Sequence, residues 1–291
     1  MEVDIFVTKR CSKKFSFFLY TDVIGGVASH RHVACLAHSF DRIMNMLTRD
    51  KIEEYNELGY IVLESFFSGH KLSQYAEMLD EIRRNWEVAK HRDEHYFVEN
   101  YGDDNELLDV LHKVQGVCVV EPRVLQIVGD RDLLDIIEQF VGPNIDAFGT
   151  KFFPKLPRDG TSTKWHLDNF YDDKDRKHIV SCAIYYEDTD RENGCLHVIP
   201  RSHTDSSLVK HHVGPDGKGV WAPADETSVK DVVCSAGSVV IFSDQLIHGA
   251  YNNTSEDRCR YSTAWHYISG DRELESFGRS TYADRFNVRD K

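Results

Sequence analysis

The sequence predicts a mostly β domain, a sandwich or barrel of short strands buttressed on one face by helices. Three observations predict it. From Ile145 onward, apolar residues recur in short runs near 145–153, 179–186, 195–199, 231–234, 238–243, 245–250 and 259–267, with the period-2 alternation of half-buried strands. Turn-forming clusters separate the runs: 157–160, Glu192-Asn193-Gly194, Pro215-Asp216-Gly217, Ala236-Gly237 and Asn252-Asn253, and many short strands at such spacing read as a sandwich or barrel. Ahead of them the apolar period changes to that of helices.

The helical part is read in order. Thr48 is a plausible N-cap, Asp50 lies in the first turn, and Ile52, Tyr55 and Leu58 space an apolar face that Gly59 ends. Tyr60-Ile61-Val62-Leu63 is a strand. Ser68 precedes a second helix with apolar residues Leu72, Tyr75, Leu79, Ile82, Trp86 and Ala89, one continuous stripe suited to packing on a sheet. His91 to Asn105 is charged and polar and reads as a loop, followed by a mixed segment holding Lys113. Asp130 caps a third helix to Val141, with Leu133, Leu134, Ile137 and Val141 inward and Gly142-Pro143 as its stop.

Residues 46–291 thus form one domain, with no internal repeat and no low-complexity linker. Residues 1–45 have a basic excess and few periodicities. They read either as an appended arm or as an ordinary packed edge element, and the residues alone leave both readings open.

A chain of 291 residues with 41% hydrophobic and 29% charged residues is ordinary for a globular protein. The net charge of −13 argues against nonspecific binding to nucleic acid or anionic membranes. Seven scattered cysteines, never in a CxxC pair, give no disulfide framework or zinc knuckle and suit a reducing compartment. No apolar run approaches the length of a membrane span. Residues 15–28 follow Lys9, Arg10, Lys13 and Lys14 in the manner of a signal peptide, but Asp22 interrupts them. The final Arg289-Asp290-Lys291 is not a peroxisomal tripeptide. A cytoplasmic protein without an obligate protein partner is the expectation.

The chemistry centres on Thr163-Lys164-Trp165-His166-Leu167-Asp168. In an extended segment the side chains of His166 and Asp168 point to the same side and can reach one metal ion. The tripeptide alone carries little weight, because His91-Arg92-Asp93 and His203-Thr204-Asp205 share it. The first of these reads as solvated surface, and His203 as a local hydrogen-bonding residue at a strand end. His248 supplies the third ligand from a strand-like run. Two histidines and a carboxylate on one face of an ion leave the other face open, as in non-haem Fe(II) oxygenases. Arg260 follows on the next strand, where alternation puts it on one face with Ser262, Ala264 and His266. A guanidinium inside a barrel calls for an anion, best a carboxylate.

These residues resemble the phytanoyl-CoA dioxygenase-like (PhyH) family of Fe(II)- and 2-oxoglutarate-dependent oxygenases, over roughly residues 48–268. The run Glu192-Asn193-Gly194-Cys195-Leu196 leading to Pro200-Arg201-Ser202-His203 is similar to a specific family stretch. The resemblance implies a double-stranded β-helix (a cupin-like jelly roll) buttressed by N-terminal helices. It implies His166, Asp168 and His248 as the Fe(II) ligands, with Arg260 and Lys113 holding 2-oxoglutarate and O2 as second cosubstrate. The implied reaction hydroxylates a C–H bond of a small molecule and releases succinate and CO2. Desaturation, ring closure or α-hydroxylation of a fatty acyl-CoA are variants of the same site. Leu167, Ala250 and Lys151 depart from the phytanoyl-CoA enzymes, which puts that substrate in doubt; retention of Asp168 argues against halogenation.

Two other classes compete: a cupin-like metalloprotein working without cosubstrate, which Arg260 argues against, and a non-catalytic binding protein, which the intact ligand set argues against. For the substrate, Lys151, Lys155, Arg158 and Lys164 read either as a basic mouth for an anionic metabolite or as a solvated face. Phe170 and Tyr171 read as pocket lining or core, and Trp221 as part of a lid over residues 211–226.

Overall fold

The structure is a computed structural model that describes residues 47–101, 108–158, 161–168, 179–204, 212–213, 220–272 and 284–290. The amino-terminal segment 1–45 lies outside the described residues, as do Phe170, Tyr171 and Asp205.

Local chemistry sets the helices. Thr48 Oγ1 accepts the Lys51 amide at 3.3 Å to open α1 (Arg49–Leu58), and Gly59 closes it at φ 86°, its amide bonded to the Tyr55 carbonyl at 2.8 Å. After β1 (Tyr60–Leu63), the long α2 (Gly69–Ala89) buries Tyr75, Met78, Leu79, Ile82 and Trp86. Ala89, read as the end of that stripe, is exposed. The segment read as a polar loop instead contains β2 (Tyr96–Tyr101), which pairs antiparallel with β3 (Leu108–Gln115). This hairpin ends its sheet, and an edge strand can carry charges such as the half-exposed Glu99 without burying them. Two helical turns, α3 (Val117–Val120) and α4 (Leu125–Val128), lead to α5 (Arg131–Val141). The Asp130 carboxylate caps α5 by accepting from the amides of Asp132 and Leu133 at 3.1 and 3.3 Å.

The remaining strands are β4 (Ile145–Lys155), β5 (Thr163–His166), β6 (Val180–Tyr185), β7 (Leu196–Val198), β8 (His212–Val213), β9 (Val220–Trp221), β10 (Lys230–Val232), β11 (Val239–Ser243), β12 (His248–Ala250), β13 (Arg260–Ser269) and β14 (Arg285–Arg289). Each of the seven expected runs from Ile145 overlaps one of them; β5, β8, β9 and β14 lie outside those runs. One sheet has the order β1-β11-β6-β13-β4-β3-β2, with β14 also paired to β4; the second is β10-β7-β12-β5; β8 and β9 form a separate ribbon.

Alternation assigns the layers. On β6, Cys182 and Ile184 join a cluster with Leu79, Ile82, Trp86, Leu133 and Ile137, so α2 and α5 cover the outer face of the large sheet. The intervening Ala183 and Tyr185 cluster with Leu196, Val198, Val240 and Phe242 between the two sheets. On β13, Trp265 and Tyr267 face the helices, where the Tyr267 hydroxyl donates to the Val128 carbonyl at 2.7 Å and the Tyr261 hydroxyl to Asp80 at 2.7 Å. Each fully buried large side chain of this layer contributes about 1.5–3 kcal/mol. Among the described residues no helix is long and apolar enough to cross a membrane. Cys118, Cys182, Cys195, Cys234 and Cys259 are free thiols, all but Cys259 buried.

Candidate active site

Strand register builds the site. β12 pairs with β5 so that His248 lies directly opposite His166, which brings two residues distant in sequence to within side-chain contact. Their rings sit 4.2 Å apart between centroids. Asp168 follows β5, its amide donating to the Asp244 carbonyl at 2.8 Å, and so turns back toward both rings. His166 Nε2 is 3.7 Å from one Asp168 oxygen and His248 Nε2 is 3.7 Å from the other. Those separations are too long for hydrogen bonds and within reach of one ion bonded at about 2 Å to each group.

The donor set fits a metal. His166 Nδ1 lies 2.8 Å from the Lys164 carbonyl and His248 Nδ1 lies 2.9 Å from the Leu246 carbonyl. A carbonyl only accepts, so each Nδ1 carries the proton and each Nε2 presents a lone pair toward Asp168. Burial, reinforced by His248, pushes His166 down to about 3, which keeps it neutral and able to ligate. Burial opposes charge on Asp168, but His266, His248 and Lys151 prevail and hold its carboxyl well below the usual carboxylate range. His166 retains 18% of its side-chain exposure against 6% for His248 and 8% for Asp168, so the cluster is reached from the His166 side.

The three residues line one cavity of about 150 Å³ between the sheets, together with Arg260, Lys113, Lys151, His112, Ser181, Tyr185, Phe242 and His266. All four residues expected on one face of β13 (Arg260, Ser262, Ala264 and His266) line it. Arg260 is 2% exposed; its Nη1 donates to Ser262 Oγ, and its guanidinium carbon lies 5.6 Å from the Tyr185 ring centroid. Lys113 Nζ stands 4.3 Å over the Phe97 ring; burial, with Lys151 nearby, pushes it down to about 8 against the opposing pull of Glu99.

The basic stretch divides. Lys151 points into the cavity and meets His266 Nε2 at 3.0 Å. Lys155, read as surface, is buried, with its ammonium donating to the carbonyls of Thr161 (2.6 Å) and Tyr251. Arg158 pairs with Glu256 at 3.2 Å at the surface. Lys164 is exposed and meets the site through its carbonyl rather than its ammonium. Trp221 is 37% exposed and stacks on His212 at 4.8 Å, outside the cavity lining. Of the two other His-x-Asp segments, His203 bonds the Asn56 carbonyl at 3.1 Å, and His91 and Asp93 are exposed.

Sequence reasoning missed His112 and Ser181. Burial, with Lys113, Lys155 and Arg260 around it, pushes His112 down to about 3, so the cavity wall beside Arg260 carries a neutral imidazole. Alternation on β6 would have pointed Ser181 inward with Ala183 and Tyr185, had that strand's register been known.

A jelly roll with two histidines and a carboxylate facing a buried arginine is the layout of non-haem iron oxygenases. The phytanoyl-CoA dioxygenase (PhyH) family pattern matches residues 55–261, and the chain belongs to that family, and with it to the 2-oxoglutarate-dependent dioxygenases, which are oxidoreductases. The chain is 25% identical over 253 residues to a probable alpha-ketoglutarate-dependent hypophosphite dioxygenase of Stutzerimonas stutzeri, covering 80% of this chain and 87% of the relative. It is 23% identical to the phytanoyl-CoA dioxygenase of Arabidopsis thaliana, covering 79% and 91%. In fold it is similar to EctD of S. alaskensis, whose structure holds bound Fe, with TM-score 0.63, 16% identity and 79% of each chain covered.

Proposed function

We propose that the protein is an Fe(II)- and 2-oxoglutarate-dependent dioxygenase that oxidises a C–H bond of a small anionic metabolite, hydroxylation being the simplest outcome. The observation that carries this reading is the joint placement of His166, Asp168, His248 and Arg260 on one cavity. When bound, Fe(II) and 2-oxoglutarate supply the oxidising chemistry with O2, consuming 2-oxoglutarate to succinate and CO2.

The chain's own residues do the rest. His166 and His248 are held by carbonyl bonds in the tautomer that ligates, and Asp168 contributes the anionic ligand. Arg260, already desolvated and fixed by Ser262 and Tyr185, offers a planar fork to the distal carboxylate of 2-oxoglutarate. His112 stands beside it as a neutral wall. Apolar Ala183, Leu196, Phe242 and Ala264 exclude water from the same space. Lys113 and Lys151 add two ammonium groups, and Asp168 is the sole carboxylate among the described lining residues. Fe(II) and the 2-oxoglutarate dianion cancel in charge, so the lining that remains favours an anion in the substrate's place. Lys113 feels the charge of Lys151, and the two ammonium groups on one cavity support a substrate role for Lys113 beside the cosubstrate role that the family resemblance implies.

The test is anaerobic. Fe(II) and then 2-oxoglutarate are added to the purified protein, and the visible charge-transfer band of the chelate is expected. Folded, iron-loaded protein that shows no band rejects the reading. Succinate release across matched anionic, zwitterionic and neutral metabolites then tests the substrate class; turnover confined to neutral compounds rejects the anionic assignment.

A further inference from the structure

Behind the ligand cluster runs a chain of hydrogen bonds that the proposed chemistry does not itself require. Lys151 Nζ lies 3.0 Å from His266 Nε2, His266 Nδ1 lies 3.0 Å from Ser181 Oγ, and Ser181 Oγ lies 2.8 Å from Asp168 Oδ2. The proton inventory gives this chain one direction. An ammonium has donors and no acceptor, so Lys151 donates to Nε2, and Nε2 carries no proton. Neutral His266 must then hold its proton on Nδ1, which donates to Ser181 Oγ. The serine has a single hydroxyl proton, and with its oxygen accepting from His266 that proton goes to the carboxylate.

The ring is held in place for this. Gly149, at φ +63°, lies so close that a Cβ there would stand 3.0 Å from His266 Cδ2. β4 carries a β-bulge here, since Ala264 pairs with Lys151 but His266 with Phe148, which puts one extra residue of β4 between Phe148 and Lys151 and re-aims β4 beside the ring. The Phe148 ring lies 5.2 Å from the imidazole on another side. The neighbouring Thr150 is pinned by Asp284, which accepts from its amide at 2.5 Å and its hydroxyl at 2.7 Å.

We infer that Lys151 is a positioning residue for the metal site: its ammonium fixes the Nδ1–H tautomer of His266, which commits the Ser181 hydroxyl to Asp168 and orients that carboxylate toward the ion. This inference rests on the reading of His166, Asp168 and His248 as metal ligands. Without Lys151, the proton can move to Nε2, Ser181 can donate to the freed Nδ1, and Asp168 Oδ2 loses its donor.

The relay and simple electrostatics predict opposite signs. Removing a positive charge from beside a cation site should tighten metal binding by Coulomb's law alone. Loss of an outer-shell partner instead weakens metal affinity about 10- to 100-fold. Mn(II) and Co(II) are titrated into wild type, Lys151→Met, Ser181→Ala and Lys113→Met, each first shown folded by its thermal transition. Lys151→Met and Ser181→Ala are expected to weaken binding by similar factors, with a common change in the Co(II) visible spectrum. Lys113→Met removes a charge from the same cavity outside the chain and is expected to leave affinity unchanged or tighter. In parallel, ring ¹⁵N spectra of wild-type protein should show His266 as the Nδ1–H tautomer, and Lys151→Met should shift it toward Nε2–H. Wild type that binds neither metal overturns the ligand reading. Wild type that binds while Lys151→Met binds equally or more tightly overturns the relay. An Nε2–H tautomer at His266 in the wild type also overturns it, whatever the variants do.

Discussion

Arg260→Met is expected to weaken cosubstrate binding without lowering the stability of the ligand-free protein. A guanidinium–carboxylate fork makes two charge-assisted hydrogen bonds, each contributing about 1.5–3 kcal/mol net. Their loss should weaken 2-oxoglutarate by about 3 kcal/mol or more, roughly 100-fold at least. Folding responds differently. The guanidinium is 2% exposed, and replacing it with an apolar side chain of similar length removes the desolvation cost of a buried ion, which is on the order of several kcal/mol. Glu187, whose carboxyl feels Arg260 and is already pushed up to about 7 by burial, can take a proton when the arginine goes. The ligand-free variant should therefore melt at or above the wild-type temperature. The assay is a 2-oxoglutarate titration of the anaerobic Fe(II) protein followed by its visible band, beside ligand-free thermal melts. A 2-oxoglutarate affinity within about fivefold of wild type, a change of about 1 kcal/mol, would refute the carboxylate role. A large drop in the ligand-free melting temperature would mark Arg260 as a structural strut.

Two further changes probe the frame. Glu187 has a folded-state value near 7, above its ordinary 4.5, so its contribution to stability is complete below about 4.5 and is lost as pH rises through 7. Glu187→Gln keeps an oxygen acceptor for the Tyr261 amide, which bonds the carboxylate at 2.6 Å; it should raise stability at pH 8 by up to about 3 kcal/mol and little at pH 5, and equal gains at both would contradict the assignment. Gly249→Ala would place a Cβ 2.5 Å from His197 Nε2 and 2.8 Å from the Thr163 carbonyl; it should cost about 1–3 kcal/mol and weaken Co(II) binding by pushing β12 off β5, and a variant unchanged in both would show that this strand pair does not set the His248–His166 spacing.

The β runs were legible because half-buried strands must alternate, and each expected run from Ile145 overlaps a strand, while the short β5, β8 and β9 and the terminal β14 lie outside those runs. What stayed hidden was set by partners that local sequence does not name. β2 carries Glu99 in a stretch that reads as loop, and β3 carries Asp109 and His112 in a segment of mixed character; pairing of the two strands, with β2 at the sheet edge and an Arg92–Asp109 ion pair beside them, makes a hairpin of them. Lys155 reads as surface because lysine is rarely buried, yet two backbone carbonyls contributed by separate loops accept its ammonium. His166 and Asp168 could be paired from their spacing, since neighbours two apart share a side. That His248 stands exactly opposite His166 depends on the β12–β5 register, which only the folded sheet contains.

The site's two ends are coupled through one strand. Arg260 and His266 both project inward from β13, six residues apart, which at about 3.3 Å per residue spans roughly 20 Å before the side chains reach back toward each other. The same strand turns Tyr261, Trp265 and Tyr267 outward, where Asp80 on α2 and the Val128 carbonyl at the end of α4 fix two of them by hydrogen bonds. A slip of one residue would exchange the faces, expelling Arg260 and His266 from the cavity while burying aromatic rings in it. The outward tyrosine anchors therefore hold more than the helical layer: by setting the register of β13 they set where the guanidinium and the His266–Ser181–Asp168 chain stand. Helices that read as mere buttress from their apolar stripes are, through that strand, part of what positions the chemistry.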